Sequence, residues 1–367
     1  MKILFDVTYV NNNSISGVTN YAYRLLNGFR ICNFNKQIFL LVTQENAQAI
    51  MQAVEGYSQI DIQLKKIKIQ HFNGYINKCS LNDIIKKNSI DLFISPYIVF
   101  HGLYTDIVPS IGVFHDAQGF NLMGNIIKQK AYNVFTKHIL QHFTTIVTIS
   151  NYAKNDIIKK IPSIRNKINV IYNSVIPINN HVLHKENAIP YILNVNTLEP
   201  YKNLITLIKA FNIIKSKIPH SLYVKAKRLP YWDNTILPYI KEKGFENRVK
   251  LIEENYSEIE MTSLYQNAAL FVSPSLMEGF GFTPIEAALY KIPVICSKES
   301  ALYETTRGLL NYYEPATDEK ELATAILKQL FEATDRQTLS AISNEYANCY
   351  STKKQAEQFI KLIKSLV

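Results

Sequence analysis

Two acids, Glu278 and Glu286, stand eight positions apart in the run Glu-Gly-Phe-Gly-Phe-Thr-Pro-Ile-Glu-Ala. Between them lie Gly279, Phe280, Gly281, Phe282 and Thr283. A glycine-containing loop that runs into a helix start leaves bare backbone N–H groups, and those favour an anion. Acids beside a phosphate would repel it unless they point at groups that need acceptors, as sugar hydroxyls do. The combination therefore reads as a site for an anion and hydroxyls together. Glu286 also has a purely structural reading, with Thr283 as N-cap, Pro284 at the first helical position and Glu286 as the capping-box acid. For Glu278 the counterpart is a solvated loop acid. The pairing with the glycines favours function for both.

The flanking segments say where this loop sits. Residues 270–272 form a short apolar run, expected as a buried strand, and 273–275 close it with turn residues around Pro274. Residues 292–296 are the next buried strand. The loop thus lies at the carboxyl end of a parallel strand, where α/β sheets bind ligands. The rest of the chain alternates in the same way. Strands are expected at 2–10, 37–43, 60–69, 90–95, 110–115, 145–149 and 168–172, with helices at 17–30, 45–54, 81–87, 125–141 and 151–161. Residues 174–188 lack periodicity, hold Pro177 and two histidines, and read as a linker. A second alternation follows, with strands at 191–196, 222–226, 249–252 and 309–312 and helices at 204–218, 235–243, 258–266 and 319–331. Such alternation gives doubly wound parallel sheets. Two of them, joined by a linker, are expected to leave a cleft for a ligand.

Composition narrows the class. The 367 residues suit two domains, and 47% are hydrophobic, enough for two cores. No apolar run approaches the ~18–20 residues of a membrane span. The opening Met-Lys-Ile-Leu-Phe-Asp reads as a strand rather than a signal peptide. Cys32, Cys79, Cys296 and Cys349 show no metal spacing and read as thiols in a reducing cytoplasm. The net charge of +10 is uneven: residues 1–180 carry 18 Lys+Arg against 9 Asp+Glu, and residues 181–367 carry 22 against 21. A basic first half points to an anionic partner, unless it only reflects a lysine-rich composition. Without an RNP-like aromatic pattern, zinc finger or basic arm, a membrane surface fits better than nucleic acid. Asp6, Asp116 and Asp233 are isolated, so no Asp-x-Asp metal motif exists. His138 and His142 share a helical face but lack a third ligand.

The Glu278–Glu286 spacing, continued through Pro293-Val294 and Ser297 to Leu302 and Glu304, resembles the E-x7-E motif of retaining glycosyltransferases of family 4. The resemblance implies a GT-B fold: two Rossmann-like domains facing across a cleft, with a C-terminal helix crossing back to the first. It places an acceptor-binding domain at 1–175, a nucleotide-sugar domain at 190–350 and the crossover helix at 351–367. It also implies a hexose, mannosyl or glucosyl for example, moved from a UDP- or GDP-linked donor to a saccharide or lipid-linked acceptor in surface polysaccharide synthesis. Configuration would be retained by same-face attack, with no metal and no cofactor beyond the nucleotide-sugar. The enzyme would be cytoplasmic, on the inner face of the cell membrane. By the same resemblance, Gly17 opens the loop facing the donor phosphates and His115 lies near the transferred sugar. The segment 196–203, with Lys202, holds the diphosphate, while 279–283 with Glu278 and Glu286 line the donor.

The chain departs from the family pattern in three places. Thr197 and Tyr201 occupy positions where relatives carry arginine. Lys225 replaces a glycine, and Thr19 replaces the second glycine of the first loop. Lys225, Lys227 and Arg228, at the end of one strand, are expected to offer a substitute cation beside Lys202, since nothing in the fold calls for them. Two rivals remain at this point: a nucleotide-sugar 2-epimerase on the same fold, and a non-catalytic subunit, for which the missing arginines speak.

Overall fold

The computed structural model describes residues 1–10, 17–65, 73–98, 102–120, 126–176 and 189–367. The end of the strand expected at 60–69 and most of the expected linker lie outside them. The described chain divides into two compact units, Met1–Ser174 with Tyr350–Val367, and Val175–Cys349.

The first unit is built on seven parallel strands: β1 (Ile3–Asp6), β2 (Ile38–Val42), β3 (Ser58–Asp61), β4 (Leu92–Ser95), β5 (Ser110–Val113), β6 (Thr145–Thr148) and β7 (Ile168–Val170). Their order is β3-β2-β1-β4-β5-β6-β7. Its helices are α1 (Gly17–Ile31), α2 (Ala47–Ala53), α3 (Asn73–Asn88), α4 (Ile126–His142) and α5 (Asn151–Lys160). The strand expected at 2–10 stops at Asp6, because its carboxylate accepts the Thr8 N–H and hydroxyl and turns the chain.

The second unit holds six parallel strands: β8 (Tyr191–Val195), β9 (Ser221–Lys225), β10 (Val249–Ile252), β11 (Leu270–Ser273), β12 (Val294–Ser297) and β13 (Asn311–Tyr313). They run β10-β9-β8-β11-β12-β13. Around them pack α6 (Leu204–Ile214), α7 (Leu237–Glu242), α8 (Glu258–Gln266), α9 (Phe282–Leu289), α10 (Leu302–Thr305), α11 (Glu319–Phe331) and α12 (Arg336–Cys349). The helix expected at 235–243 instead starts at Pro230, widens into a π-type turn over Trp232–Ile236 and is α-helical again from Leu237. Pro238 has no N–H to continue an ordinary ladder there.

The last helix, α13 (Thr352–Lys364), belongs to the first unit and packs along α1. Gly28 permits the approach: a Cβ there would meet the Thr352 carbonyl at 2.5 Å. Phe29 and Phe359 meet edge-to-face, ring centres 6.3 Å apart. Gln355 fixes the register by accepting from the Ser174 hydroxyl and donating to the Tyr172 carbonyl.

In each sheet the strand order reverses direction, between β1 and β4 and between β8 and β11. The segments leaving adjacent strands at such a switch point diverge, and their carboxyl ends leave room for a ligand. Among the described residues no helix is long and apolar enough to cross a membrane.

Candidate active site

The switch point of the second unit brings two sequence-distant segments together. One leaves β8 and carries Lys202; the other leaves β11 and carries Glu278. Asn203 joins them. Its amide donates to the carbonyls of Pro274, at 3.0 Å, and Ala316, at 2.8 Å, while its oxygen accepts from the Thr206 hydroxyl. The Leu276 N–H reaches the Tyr201 carbonyl at 2.8 Å. Asn203 takes a left-handed φ of +57°, which turns the chain from the 200–202 helical turn into α6. Asparagine tolerates that conformation better than most residues.

Across this seam Lys202 Nζ stands 2.8 Å from Glu278 Oε1, with the side chains 13% and 11% exposed. Lys202 also lies over the Tyr201 ring, 5.3 Å from its centre. A largely desolvated ion pair at a sheet switch point can place positive charge beside a leaving group and an acceptor beside a hydroxyl.

Gly281 sets the start of α9. Its φ of +82° is left-handed, and a Cβ there would approach Leu302 Cδ2 to 2.6 Å. The helix begins at Phe282, with Gly281 as its N-cap. This corrects the expectation that Thr283 caps it: Thr283 and Pro284 already lie inside the first turn, so Glu286 is not a capping-box acid. The first turn of α9, whose backbone N–H groups point out of the helix start, follows the run Glu278–Gly281. Glu286 is half-buried and accepts from the Tyr265 hydroxyl at 3.4 Å, where Tyr265 stacks on Tyr290.

The cations after β9 are engaged elsewhere. Lys225 donates to the Glu254 carbonyl at 2.6 Å and lies over the Tyr256 ring. Arg228 pairs with Asp233 at 2.6 Å and Glu253 at 3.6 Å. The expectation that the fold makes no use of these cations is therefore wrong for both; Lys227 is exposed.

In the first unit, His115 follows β5, and its Nε2 lies 3.1 Å from the Pro96 carbonyl. A carbonyl only accepts, so Nε2 carries the proton. The neighbouring Asp116 carboxylate accepts the Gln118 N–H. The Tyr21 ring meets the imidazole edge-on at 4.6 Å. Desolvation lowers its pKa to about 4, so the ring is neutral near pH 7. The Tyr21 hydroxyl is buried and has no hydrogen-bond partner among the described residues. Gly17 opens α1 and is exposed, with open space where a Cβ would sit. His138 and His142 pack against Tyr104, and His142 lies 3.9 Å from Asp106. Among the described residues no three His, Cys, Asp or Glu side chains gather as a metal site.

Asp6 is buried at the carboxyl end of β1. Burial pushes its pKa from 3.8 to about 6 against the lowering effect of its bonds from Thr8. The folded chain thus holds this proton more tightly than the unfolded chain does. That contribution is full below pH 3.8 and lost as pH rises through about 6. Asp6→Asn keeps an acceptor for Thr8 and carries no charge. It should stabilise the first unit near pH 7 by up to about 3 kcal/mol and leave it unchanged near pH 3. Urea unfolding at both pH values checks this; an equal effect at both would rule out a buried-charge cost.

Residues 178–345 match the family Glycosyl transferases group 1. The O-antigen chain mannosyltransferase RfbU of Salmonella typhimurium is 29% identical over 226 residues, 60% of this chain and 62% of that protein. O-antigen chain mannosyltransferase B of Escherichia coli is 27% identical over 48% of this chain and 46% of that protein. The matches thus span between about half and three-fifths of these relatives. Among solved structures, sucrose-phosphate synthase from Thermosynechococcus elongatus superposes with a TM-score of 0.76 at 16% identity, covering 100% of this chain and 98% of that one. Anabaena HepE in complex with UDP superposes at 0.70 with 17% identity, covering 100% of both chains. Residues 178–345 are thus similar to group 1 glycosyltransferases, and the chain has the GT-B fold.

Proposed function

We propose that the chain is a retaining glycosyltransferase. It moves a hexose from a UDP- or GDP-linked donor to a saccharide or lipid-linked acceptor in surface polysaccharide synthesis. The observation that carries this reading is the Lys202–Glu278 pair at the β8/β11 switch point, directly before the amides that open α9. Lys202 and those amides would face the diphosphate; Glu278 would accept from the transferred sugar. The protein supplies the positive charge, so the reaction needs no metal. The similarity to O-antigen mannosyltransferases supports sugar transfer, and the UDP held by HepE supports a nucleotide-linked donor. Incubation with a panel of UDP- and GDP-sugars and lipid-linked acceptors tests the proposal. Sugar transfer supports it. Acceptor-free isomerisation would make the protein an epimerase, and neither reaction would make it a binding subunit.

Glu286 is placed to accept from a donor hydroxyl, most simply the ribose. A hydrogen bond to a charged group is worth about 1.5–3 kcal/mol. Glu286→Gln should weaken donor binding at least tenfold while the fold persists. Unchanged affinity in calorimetry would remove Glu286 from the site.

The first unit would dock the enzyme on the inner membrane surface. On α4 the residues Ile127, Lys130, Val134, Lys137 and Gln141 share one exposed face, with Ile127 79% and Val134 64% exposed. No acid occurs between 126 and 142. Lys154, Lys159 and Lys160 lie on α5; the Lys128 side chain lies outside the described residues. Each lysine near acidic lipid contributes about 1 kcal/mol, so Lys130→Glu and Lys137→Glu should each lower binding at least roughly fivefold. Flotation with anionic and neutral liposomes measures it. Equal recovery with both, or with neither, counts against membrane docking.

A further inference from the structure

We infer that Ser300 and Thr305 are positioning residues for the Glu278 loop, an assignment that rests on the donor-site reading above. Three hydroxyls from the stretch 297–305 take hold of the backbone between 275 and 280. The Ser297 hydroxyl donates to the Ser275 carbonyl at 2.5 Å. The Glu278 N–H donates to Ser300 Oγ at 2.8 Å. The Thr305 hydroxyl reaches the Phe280 carbonyl at 2.5 Å, closer than the Ala301 carbonyl of its own turn at 2.8 Å. Leu302, from the same stretch, presses on Gly281.

Ser300 holds its place against a backbone preference. Its φ of +55° is left-handed, where a residue with a Cβ is strained. Glycine would sit there without strain, so the fold alone would favour glycine. What serine adds is the oxygen that receives the Glu278 amide. A strained residue at a functional loop is maintained where its side chain is used. The carboxylate of Glu278 must meet Lys202 on one side and a sugar hydroxyl on the other, and small displacements in such sites are costly to turnover.

Ser300→Gly and Ser300→Ala separate the two effects. Both remove the hydroxyl, and only the glycine relieves the strain. Amide hydrogen exchange over residues 275–282 should rise at least tenfold in both, while β8, β9 and β11 keep their protection. Ser300→Gly should be at least as heat-stable as the parent protein, yet its kcat should fall about 10–100-fold with donor KM within about threefold. Thr305→Val should behave likewise, and Thr305→Ser should restore the parent rate. Unchanged exchange in the loop overturns the assignment whatever the activity. Raised exchange with unchanged kcat overturns it too, since the bond would then be structural only. If the parent protein transfers no sugar from any donor, the donor-site reading falls, and with it a catalytic purpose for the clamp. The exchange data would still decide whether Ser300 holds the loop.

Discussion

Replacing Lys202 by methionine should reduce sugar transfer by roughly 10²–10³-fold, the range seen when one preorganised charge-stabilising donor is removed from an active site. The expectation rests on where Lys202 sits. It leaves β8 at the switch point, is held over Tyr201, and pairs with Glu278 at 2.8 Å in a setting only 13% and 11% exposed. A cation ~4 Å from a diphosphate charge is worth ~4 kcal/mol at an effective dielectric of ~20. Lys225 and Arg228, which could have shared the task, are committed to the Glu254 carbonyl and to Asp233. Methionine would also leave Glu278 without its cation, costing about 1–3 kcal/mol of stability. The double variant Lys202→Met, Glu278→Gln should recover that stability but not the activity. Stability and turnover recovering together would mean that Lys202 is a structural partner only. Transfer surviving in Lys202→Met would leave the diphosphate to the Phe280–Thr283 backbone.

Asn203→Ala should destabilise the second unit by about 3–7 kcal/mol. Two buried carbonyls, of Pro274 and Ala316, would lose their donor, at about 1–3 kcal/mol each. Alanine would also have to adopt the left-handed φ of +57°, adding about 1 kcal/mol. Asn203→Asp keeps the size and the acceptor for Thr206 but removes the donor, so it should fall close to alanine. Asn203→Gly, free of strain but without the amide, should lose only the donor share. Urea unfolding of the three variants checks the order. A loss below about 1 kcal/mol for alanine would show that the seam between 203 and 274 is not held by this side chain.

Asn203 marks the limit of what the sequence shows. The periodic elements were legible because hydrophobic spacing dictates them: the helix expected at 319–331 is α11 to the residue, and the loop between β11 and α9 lies where its glycines implied. The cap was not. Thr-Pro-Ile-Glu is a strong local start signal, but Gly281 turns the chain before it, so the helix begins at Phe282 and the capping box never forms. The Lys202–Glu278 contact spans 76 positions and depends on strand order, which no local pattern encodes. The same holds for Ser300 and Thr305. Their hydroxyls stand in an ordinary-looking stretch, and only the adjacency of β11 and β12 brings them to the loop. The basic residues at the end of β9 escape a sequence reading for a related reason: Lys225 finds a backbone carbonyl, that of Glu254, which no side-chain pattern marks, and Arg228 meets Asp233 only because the chain turns between them.

The most direct test of the account is the anomeric configuration of a transferred sugar. The protein is incubated with a metal chelator, the donor that a UDP- and GDP-sugar panel selects, and a saccharide acceptor. The product's anomeric carbon is then read by its one-bond carbon–proton coupling in NMR. The account predicts transfer in the presence of chelator, with the configuration of the donor kept. An inverted product, or transfer that returns only when a divalent metal is added back, would contradict it.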